Sequence, residues 1–280
     1  MKEFAGRVAV VTGGASGIGL AMAQRLAAEG MKIALADVDG KRLQAARDQL
    51  AAAGSEVIAV PTDVASAEAV DALARTTLDA FGAVHVVLNN AGVAVTGALW
   101  EGQLADMHWA FGVNLWGVIH GIRTFVPILR EQGEPAHVVN TASLAALTTV
   151  PYLDIYAATK HAVLALSECL HKELLLEQSP VRASVVCPGL IKTSLMQTSA
   201  QSSQSSPHAE RGPGGALMNQ YLTAGIESGM DPSVVAEAVF QGIRDERFYI
   251  IPAQPELLAA MELRLTELRE QRNPSAGPQA

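Results

Sequence analysis

The sequence predicts an α/β fold, a doubly wound parallel sheet of about seven strands flanked by helices on both faces. Three observations carry that expectation. β-branched apolar runs alternate with amphipathic stretches of helix length, which implies βαβ units with right-handed crossovers. A glycine-rich turn joins the first run to the first helix, and an aspartate closes the second run. With 280 residues, the chain can bury a large core, and α/β folds of this length commonly stay one domain. Residues 1–272 are expected to form that domain, and the last stretch, NPSAGPQA at 273–280, a disordered tail.

The first run, RVAVVT at 7–12, is bounded by glycine and reads as a buried parallel strand. Gly13-Gly14-Ala15-Ser16-Gly17-Ile18-Gly19 follows and opens the helix LAMAQRLAAEG, which stops at Gly30. Glycines let the backbone turn tightly and approach a diphosphate, while the helix start offers free N–H groups and a positive dipole end. Glycine spacing alone is an ordinary tight turn; between a strand and a helix it reads as a Rossmann-type nucleotide site. The next strand, KIALAD, ends in Asp37, roughly twenty residues on, where a carboxylate can accept hydrogen bonds from the adenosine ribose hydroxyls. That carboxylate would repel a 2′-phosphate by about 4 kcal/mol at ~4 Å and an effective dielectric of ~20, before screening, which favours NAD over NADP. Lys41 and Arg42 could soften that preference, although as members of the following helix, GKRLQAARDQLAAAG, they are expected to face solvent.

The alternation continues with a strand in EVIAVPTDV, a helix from Ser66 to Phe81 and a strand in VHVVLNNAG. Asn89, Asn90, Ala91 and Gly92 close that strand, and their small size would let a flat ring lie on the backbone or would simply make a turn. Residues 101–131 form a long helical region with Asn114 near its middle. A mid-helix asparagine is mildly unfavourable, so Asn114 is either exposed or kept for a polar contact. Trp109, Phe111 and Trp116 read as packing or interface residues. Residues 140–160, NTASLAALTTVPYLDIYAATK, begin as a strand, pass through a small-residue loop and enter a helix that carries Tyr156 and Lys160. Four positions apart they share a helix face, and an ammonium there lowers a phenol pKa from its usual value of about 10. Tyr156 is thus a candidate proton-transfer group, with Ser143 able to reach the same point, although such a pair alone is also a common surface contact.

The strand VRASVVCPG ends sharply at Pro188 and Gly189. Beyond Lys192 the stretch TSLMQTSAQSSQSSPHAERGPGG lacks periodicity, and its place at the ligand edge reads as an active-site lid over about 194–230. A helix at 232–244, a last strand in FYIIP and a final helix with Leu257, Met261, Leu265 and Leu268 on one stripe complete the chain.

Composition narrows the function. A net charge of −8 with no Lys/Arg run argues against a nucleic-acid partner. The apolar run Val8 to Val11 is too short for a membrane span or a signal-peptide core. Cys169 and Cys187 sit in apolar surroundings and read as inert thiols of a reducing cytoplasm. The 7 histidines form no metal-like cluster with cysteine or carboxylate, so no metal is expected.

Thr12-Gly13-x-x-x-Gly17-x-Gly19, Asp37, Asp63, Asn89-Asn90-Ala91-Gly92, Asn114, Ser143, Tyr156-x-x-x-Lys160 and Pro188-Gly189-x-x-x-Thr193 stand in family order and spacing, and over residues 5–252 the chain resembles the simple branch of the short-chain dehydrogenase/reductase family. The resemblance implies that Tyr156 is the acid/base and that Ser143 bonds the substrate oxygen. It implies that Lys160 binds the nicotinamide ribose while lowering the Tyr156 pKa, and that Asn114 holds a water in a proton relay. Asp63 and Val64 would contact adenine, and Ile191 and Thr193 the carboxamide. Gly13, Ser16, Gly17, Ile18 and Gly19 complete the implied cofactor site from the first turn. Asn90, Ala91 and Gly92 join it from the middle of the chain, with Pro188 and Gly189 beyond them. Elementary chemistry agrees with these roles. Hydride leaves a carbinol carbon only as its hydroxyl proton is removed, so a base must reach that oxygen while the cofactor faces the carbon. NAD would bring the hydride chemistry, and the protein position and field.

The expected reaction is NAD-dependent interconversion of a secondary alcohol and a ketone. The small-molecule substrate is expected to be apolar or aromatic, from Leu144, Leu147, Val150 and Leu153 and from Leu195, Met196 and Leu217 of the lid. An NADPH-dependent carbonyl reductase working in the other direction is the alternative. A non-catalytic dinucleotide-binding regulator is a third reading, against which the full set of Ser143, Tyr156, Lys160 and Asn114 argues. Hydrophobic residues make up 49% and charged residues 17%, more apolar than a monomer needs. With apolar helices at 101–131 and 154–178, which family members commonly pair across subunits, this predicts a homotetramer or homodimer. Sedimentation at micromolar concentration checks it, and free monomer alone would refute it.

Overall fold

The computed structural model describes residues 1–202, 212–252 and 255–275. Strands β1 (Val8–Thr12), β2 (Lys32–Asp37), β3 (Val57–Pro61) and β4 (Val86–Asn89) alternate with helices α1 (Gly17–Ala28), α2 (Gly40–Ala52) and α3 (Ala67–Phe81). Helices α4 (Leu104–Phe111) and α5 (Gly117–Gln132) follow, joined by a π-helical turn at Gly112–Trp116. Then come β5 (Ala136–Thr141), α6 (Asp154–Leu176), β6 (Val181–Val186), α7 (Leu195–Ser202), α8 (Gly212–Glu227), α9 (Pro232–Arg244), β7 (Tyr249–Ile250) and α10 (Pro255–Arg269).

The strands form one parallel sheet in the order β3-β2-β1-β4-β5-β6-β7. Successive side chains of a strand point to opposite faces, so a strand covered on both sides must be apolar throughout. β1 meets that condition. Ala9 and Val11 pack on Met22 and Leu26 of α1 and Val239 of α9, while Val10 packs with Leu73 of α3 and with Phe125 and Leu129 of α5. Helix starts are set locally: Asp39 accepts the Arg42 N–H at 3.0 Å, Ser66 the Ala69 N–H at 3.1 Å, and Asp231 the Ser233 N–H at 2.9 Å ahead of Pro232. Gly82 and Gly133, at φ 78° and 68°, end α3 and α5 in the left-handed conformation that glycine adopts without strain.

The structure corrects the reading of residues 194–230 as an aperiodic loop: the segment is largely helical, as α7 and α8. Gly-Pro-Gly-Gly opens α8 and hides it from a periodicity search, but Pro213 has no N–H that the first helical turn would need to satisfy. The part of the expected lid at 203–211 lies outside the described residues. So do 276–280 of the expected tail, whereas Ser275 is held by its N–H to Glu267 at 3.0 Å. On the stripe of α10, Leu265 and Leu268 are exposed, and the Leu257 side chain lies outside the described residues. No described helix is long and apolar enough to cross a membrane.

Two histidines are buried at the opposite end of the sheet. His85 Nδ1 accepts the Val8 N–H at 3.1 Å, and His137 Nε2 lies 2.7 Å from Ser184 Oγ. Burial pushes His137 down to about 3 from an ordinary 6.5, and burial also lowers His85. Because the folded pKa is below the unfolded one, the unfolded chain takes the proton first, so this stability is complete above pH 6.5 and is lost as pH falls toward 3. The melting temperature is expected to decline on acidification from pH 6.5, before most carboxylates titrate, and to decline less in His137→Gln. Parallel melting curves for the two proteins across that range would contradict the assignment.

Candidate active site

β1 pairs with β2 on one side and β4 on the other, so the chain reverses its winding there and opens a crevice at the strand C-termini. The glycine turn lines it. Gly13 and Gly17 have φ of 64° and 53°, and the space beside them is close: a Cβ on Gly13 would lie 2.9 Å from Ala91 Cα, and one on Gly17 3.0 Å from Thr193 Cγ2. Asp37, at the end of β2, accepts the Ala15 N–H at 3.1 Å and the Asp39 N–H at 3.0 Å. Each oxygen keeps a lone pair, and the side chain lines the crevice. Asn90 acts as a bolt: its Nδ2 donates to Thr12 O at 3.0 Å while Thr12 Oγ1 accepts the Asn90 N–H at 2.9 Å.

At the next strand end, Ser143 leaves β5 and Tyr156 and Lys160 enter on the first turns of α6. The Tyr156 phenol pairs with the Ser143 hydroxyl, and Ser143 Oγ also accepts the Ala145 N–H at 3.1 Å. Lys160 is 3% exposed. Its Nζ donates to Thr141 O at 2.9 Å and stands 5.7 Å from the centre of the Tyr156 ring. Burial lowers Lys160 to about 8, so at neutral pH it keeps its proton. Burial raises the Tyr156 phenol above its ordinary value, with the Ser143 hydrogen bond pulling it down. The sequence-based expectation of a phenol pKa lowered by Lys160 is therefore opposed by burial, and the chain's own groups leave the phenol protonated at neutral pH.

Asn114 is fully buried in the π-helical turn, a geometry found often at functional sites. Its Oδ1 accepts the Val93 N–H at 2.8 Å and its Nδ2 donates to Val93 O at 2.9 Å, with Thr159 Oγ1 at 3.2 Å. The mid-helix asparagine is thus kept for polar contacts: it clamps the loop after β4. Gly92 lies between Asn114 and Lys160, where a Cβ would meet their polar atoms at 3.4 and 3.5 Å.

These groups border one cavity of about 540 Å³. Gly13, Ser16, Gly17, Ile18 and Gly19 line one end with Asp37, Asp63 and Val64. Asn90, Ala91 and Gly92 line its middle with Ser143, Tyr156 and Lys160, and Pro188, Gly189, Ile191 and Thr193 its other wall. Asn114 stands behind that surface. Four expectations need correcting. Leu147 packs with Val118 and Val163 instead of lining the cavity, and Leu217 is 65% exposed while Met218 and Leu222 face inward. Trp109, read as packing, lines the substrate end. Arg42, read as solvent-facing, lines the nucleotide end, with its Nε 3.3 Å from Asp39 and its Nη1 3.5 Å from Ser194. For Arg42 the sequence offers only its nearness to Asp37, and for Trp109 no local signal, because which face of a helix meets the crevice is decided by segments remote in sequence.

A crevice at a reversed parallel sheet, closed by a serine–tyrosine pair over a buried ammonium, marks a Rossmann-type oxidoreductase. The family model described as short chain dehydrogenase matches residues 7–204; the chain belongs to that family. It is 39% identical to a 1-deoxy-11-beta-hydroxypentalenate dehydrogenase of Streptomyces exfoliatus, over 87% of this chain and 82% of that one. It is 34% identical to the C alpha-dehydrogenase of a Sphingobium strain, over 94% and 85% of the two chains. Among solved structures, a short chain dehydrogenase/reductase from Burkholderia phymatum in complex with NAD superposes with a TM-score of 0.95 at 42% identity, covering 100% of both chains.

The clamp yields a stability prediction. Asn114→Leu leaves the Val93 N–H and carbonyl without their partner, at about 1–3 kcal/mol per group. A fall in melting temperature of about 2–4 °C per kcal/mol is expected. An unchanged melting temperature would show that Asn114 does not hold the loop.

Proposed function

We propose that the protein is an NAD-dependent oxidoreductase that interconverts a secondary alcohol and a ketone on an apolar or aromatic small molecule. One observation carries the reading: a phenol paired with a serine hydroxyl and backed by a buried ammonium lies in the same cavity as the glycine turn. The residues fit a dinucleotide. Gly13 and Gly17 hold a positive-φ turn packed too closely on Ala91 and Thr193 for side chains, the start of α1 suits a diphosphate, and Asp37 keeps free lone pairs for a ribose. Arg42 beside Asp37 is offset by Asp39, which keeps the preference with NAD over NADP. When bound, NAD supplies the ring that accepts or gives hydride. Asp63 and Val64 are assigned to adenine, and Ile191 and Thr193 to the carboxamide.

The chain's own part is to place an oxygen and move its proton. Ser143 holds the substrate oxygen, and Tyr156 exchanges the proton with it. The raised phenol pKa suits Tyr156 as the acid for ketone reduction; alcohol oxidation needs the phenolate, which positive charge nearby favours. Lys160 supplies one such charge and is assigned to the nicotinamide ribose. A relay through Asn114 would have to use its main-chain carbonyl, because the side-chain amide is committed to Val93 and Thr159. The substrate end is lined by Trp109, Leu144, Val150, Leu153, Met218 and Leu222, which favours an uncharged carbon skeleton. Similarity to a relative named for a hydroxylated pentalenate supports a hydroxyl as the oxidised group.

Assembly as a homodimer or homotetramer and a cytoplasmic setting belong to the same proposal. Trp116, Leu166 and Leu176 leave apolar surface exposed along the π-helical turn and α6, and both cysteines are free.

Tyr156→Phe is expected to lower turnover of a secondary alcohol by about 10²–10⁴ while NAD still binds. In the unmodified enzyme NAD should turn over faster than NADP, and oxidation should accelerate with rising pH as the phenolate forms. NADH absorbance across an alcohol panel measures all three. Near-normal turnover in the variant, or a clear preference for NADP, would overturn the reading.

A further inference from the structure

Helix α8 borders the cavity with its two ends seated on different parts of the chain. At the C-terminal end, a Cβ on Gly225 would lie 2.7 Å from Leu190 Cδ1, and one on Gly229 2.6 Å from Leu190 O. Met230 N donates to Leu190 O at 3.0 Å and Lys192 N to Met230 O at 2.9 Å, so this end is laced to the segment after β6. At the N-terminal end the fit is closer. A Cβ on Gly214 would overlap the Tyr152 ring, and one on Gly212 the Glu101 carboxylate. Between the two seats, Met218 and Leu222 stand four residues apart on one face and line the substrate end.

Two features show that the N-terminal seat is specific. Glycine lowers helix stability relative to alanine, so Gly212-Pro213-Gly214-Gly215 is a poor way to begin a helix unless close approach is required. Tyr152 itself has a φ of 64°, a region that non-glycine residues rarely occupy and that tends to persist where surroundings impose it. Its carbonyl accepts the Gly97 N–H at 2.9 Å, and it stands four residues before Tyr156.

We propose that Tyr152 is a positioning residue: its ring receives the glycine face of α8 and so sets how far Met218 and Leu222 extend over the substrate beside Tyr156. This rests on the proposed dehydrogenase function for its substrate readout and on geometry alone for its placement. Glu101 gives the second point of the seat, a carboxylate at a helix N-terminus, where negative charge is favourable. The pocket depth, and with it the size of apolar alcohol accepted, then depends on two small residues and one ring distant in sequence from them.

Gly214→Ala and Tyr152→Gly test it in the full-length protein. Gly214→Ala introduces the overlap; Tyr152→Gly removes the ring while suiting the backbone at φ 64°. Both are expected to raise KM for a bulky apolar secondary alcohol on the order of tenfold, with kcat and NAD affinity within about twofold. Tyr152→Phe, which keeps the ring, should match the unmodified enzyme. Hydrogen exchange gives a readout independent of turnover. Amides of 216–227 should exchange about tenfold faster in both variants, whereas an unseated helix would gain protection from Gly214→Ala by propensity alone. Unchanged KM in both variants, or increased protection in Gly214→Ala, would overturn the seat. Absence of turnover in the unmodified enzyme would overturn the dehydrogenase reading, while exchange would still decide the seat.

Discussion

The site depends on one hydrogen bond, from the buried Lys160 ammonium to the Thr141 carbonyl at 2.9 Å. A charge removed from water is costly unless it is paired or hydrogen-bonded, and here the partner is the last residue of a central strand. The bond therefore ties α6 to the end of β5. Because Tyr156 and Ser143 ride on the same two elements, their spacing is inherited from the sheet and not from a flexible loop. Burial leaves Lys160 near the edge of its charged range, at about 8, and holds the neighbouring phenol in its protonated form.

Around that bond, small residues and amides keep the space in order. Gly92 lets Lys160 and Asn114 approach the loop after β4, and the Asn114 amide fixes that loop by bonding both the N–H and the carbonyl of Val93. The π-helical turn presents the asparagine inward in the middle of what is otherwise a continuous helix. Thr12 and Asn90 join β1 to β4 in the same way, side chain to backbone across the crevice. The nucleotide end is consequently a rigid edge of the sheet. The substrate end is partly walled by α8, whose glycines at its two ends sit close against Glu101, Tyr152 and Leu190, and this division suits a family whose shared machinery serves different substrates.

Strands and helix boundaries were legible because their causes are local. KIALAD corresponds to β2 residue for residue, and the helices expected from Ser66 to Phe81 and at 232–244 are α3 and α9, whose starts are fixed by the side chains of Ser66 and Asp231. The lid was misread as aperiodic because α8 opens on Gly-Pro-Gly-Gly and its contacts lie with Glu101, Tyr152 and Leu190, all remote in sequence. Trp109 and Arg42 were misread for the same reason: a helix face is named solvent or core only by what packs against it.

The sequence by itself determined the parallel α/β order, the glycine turn, Asp37 and the Tyr156–Lys160 face, since backbone stereochemistry and side-chain period act over a few residues. Tertiary structure alone decided how far each group is removed from water, that Asn114 spends its amide on Val93, and which apolar side chains wall the substrate end. Burial and polar pairing are sums over segments brought together by the sheet, and no local pattern records that sum.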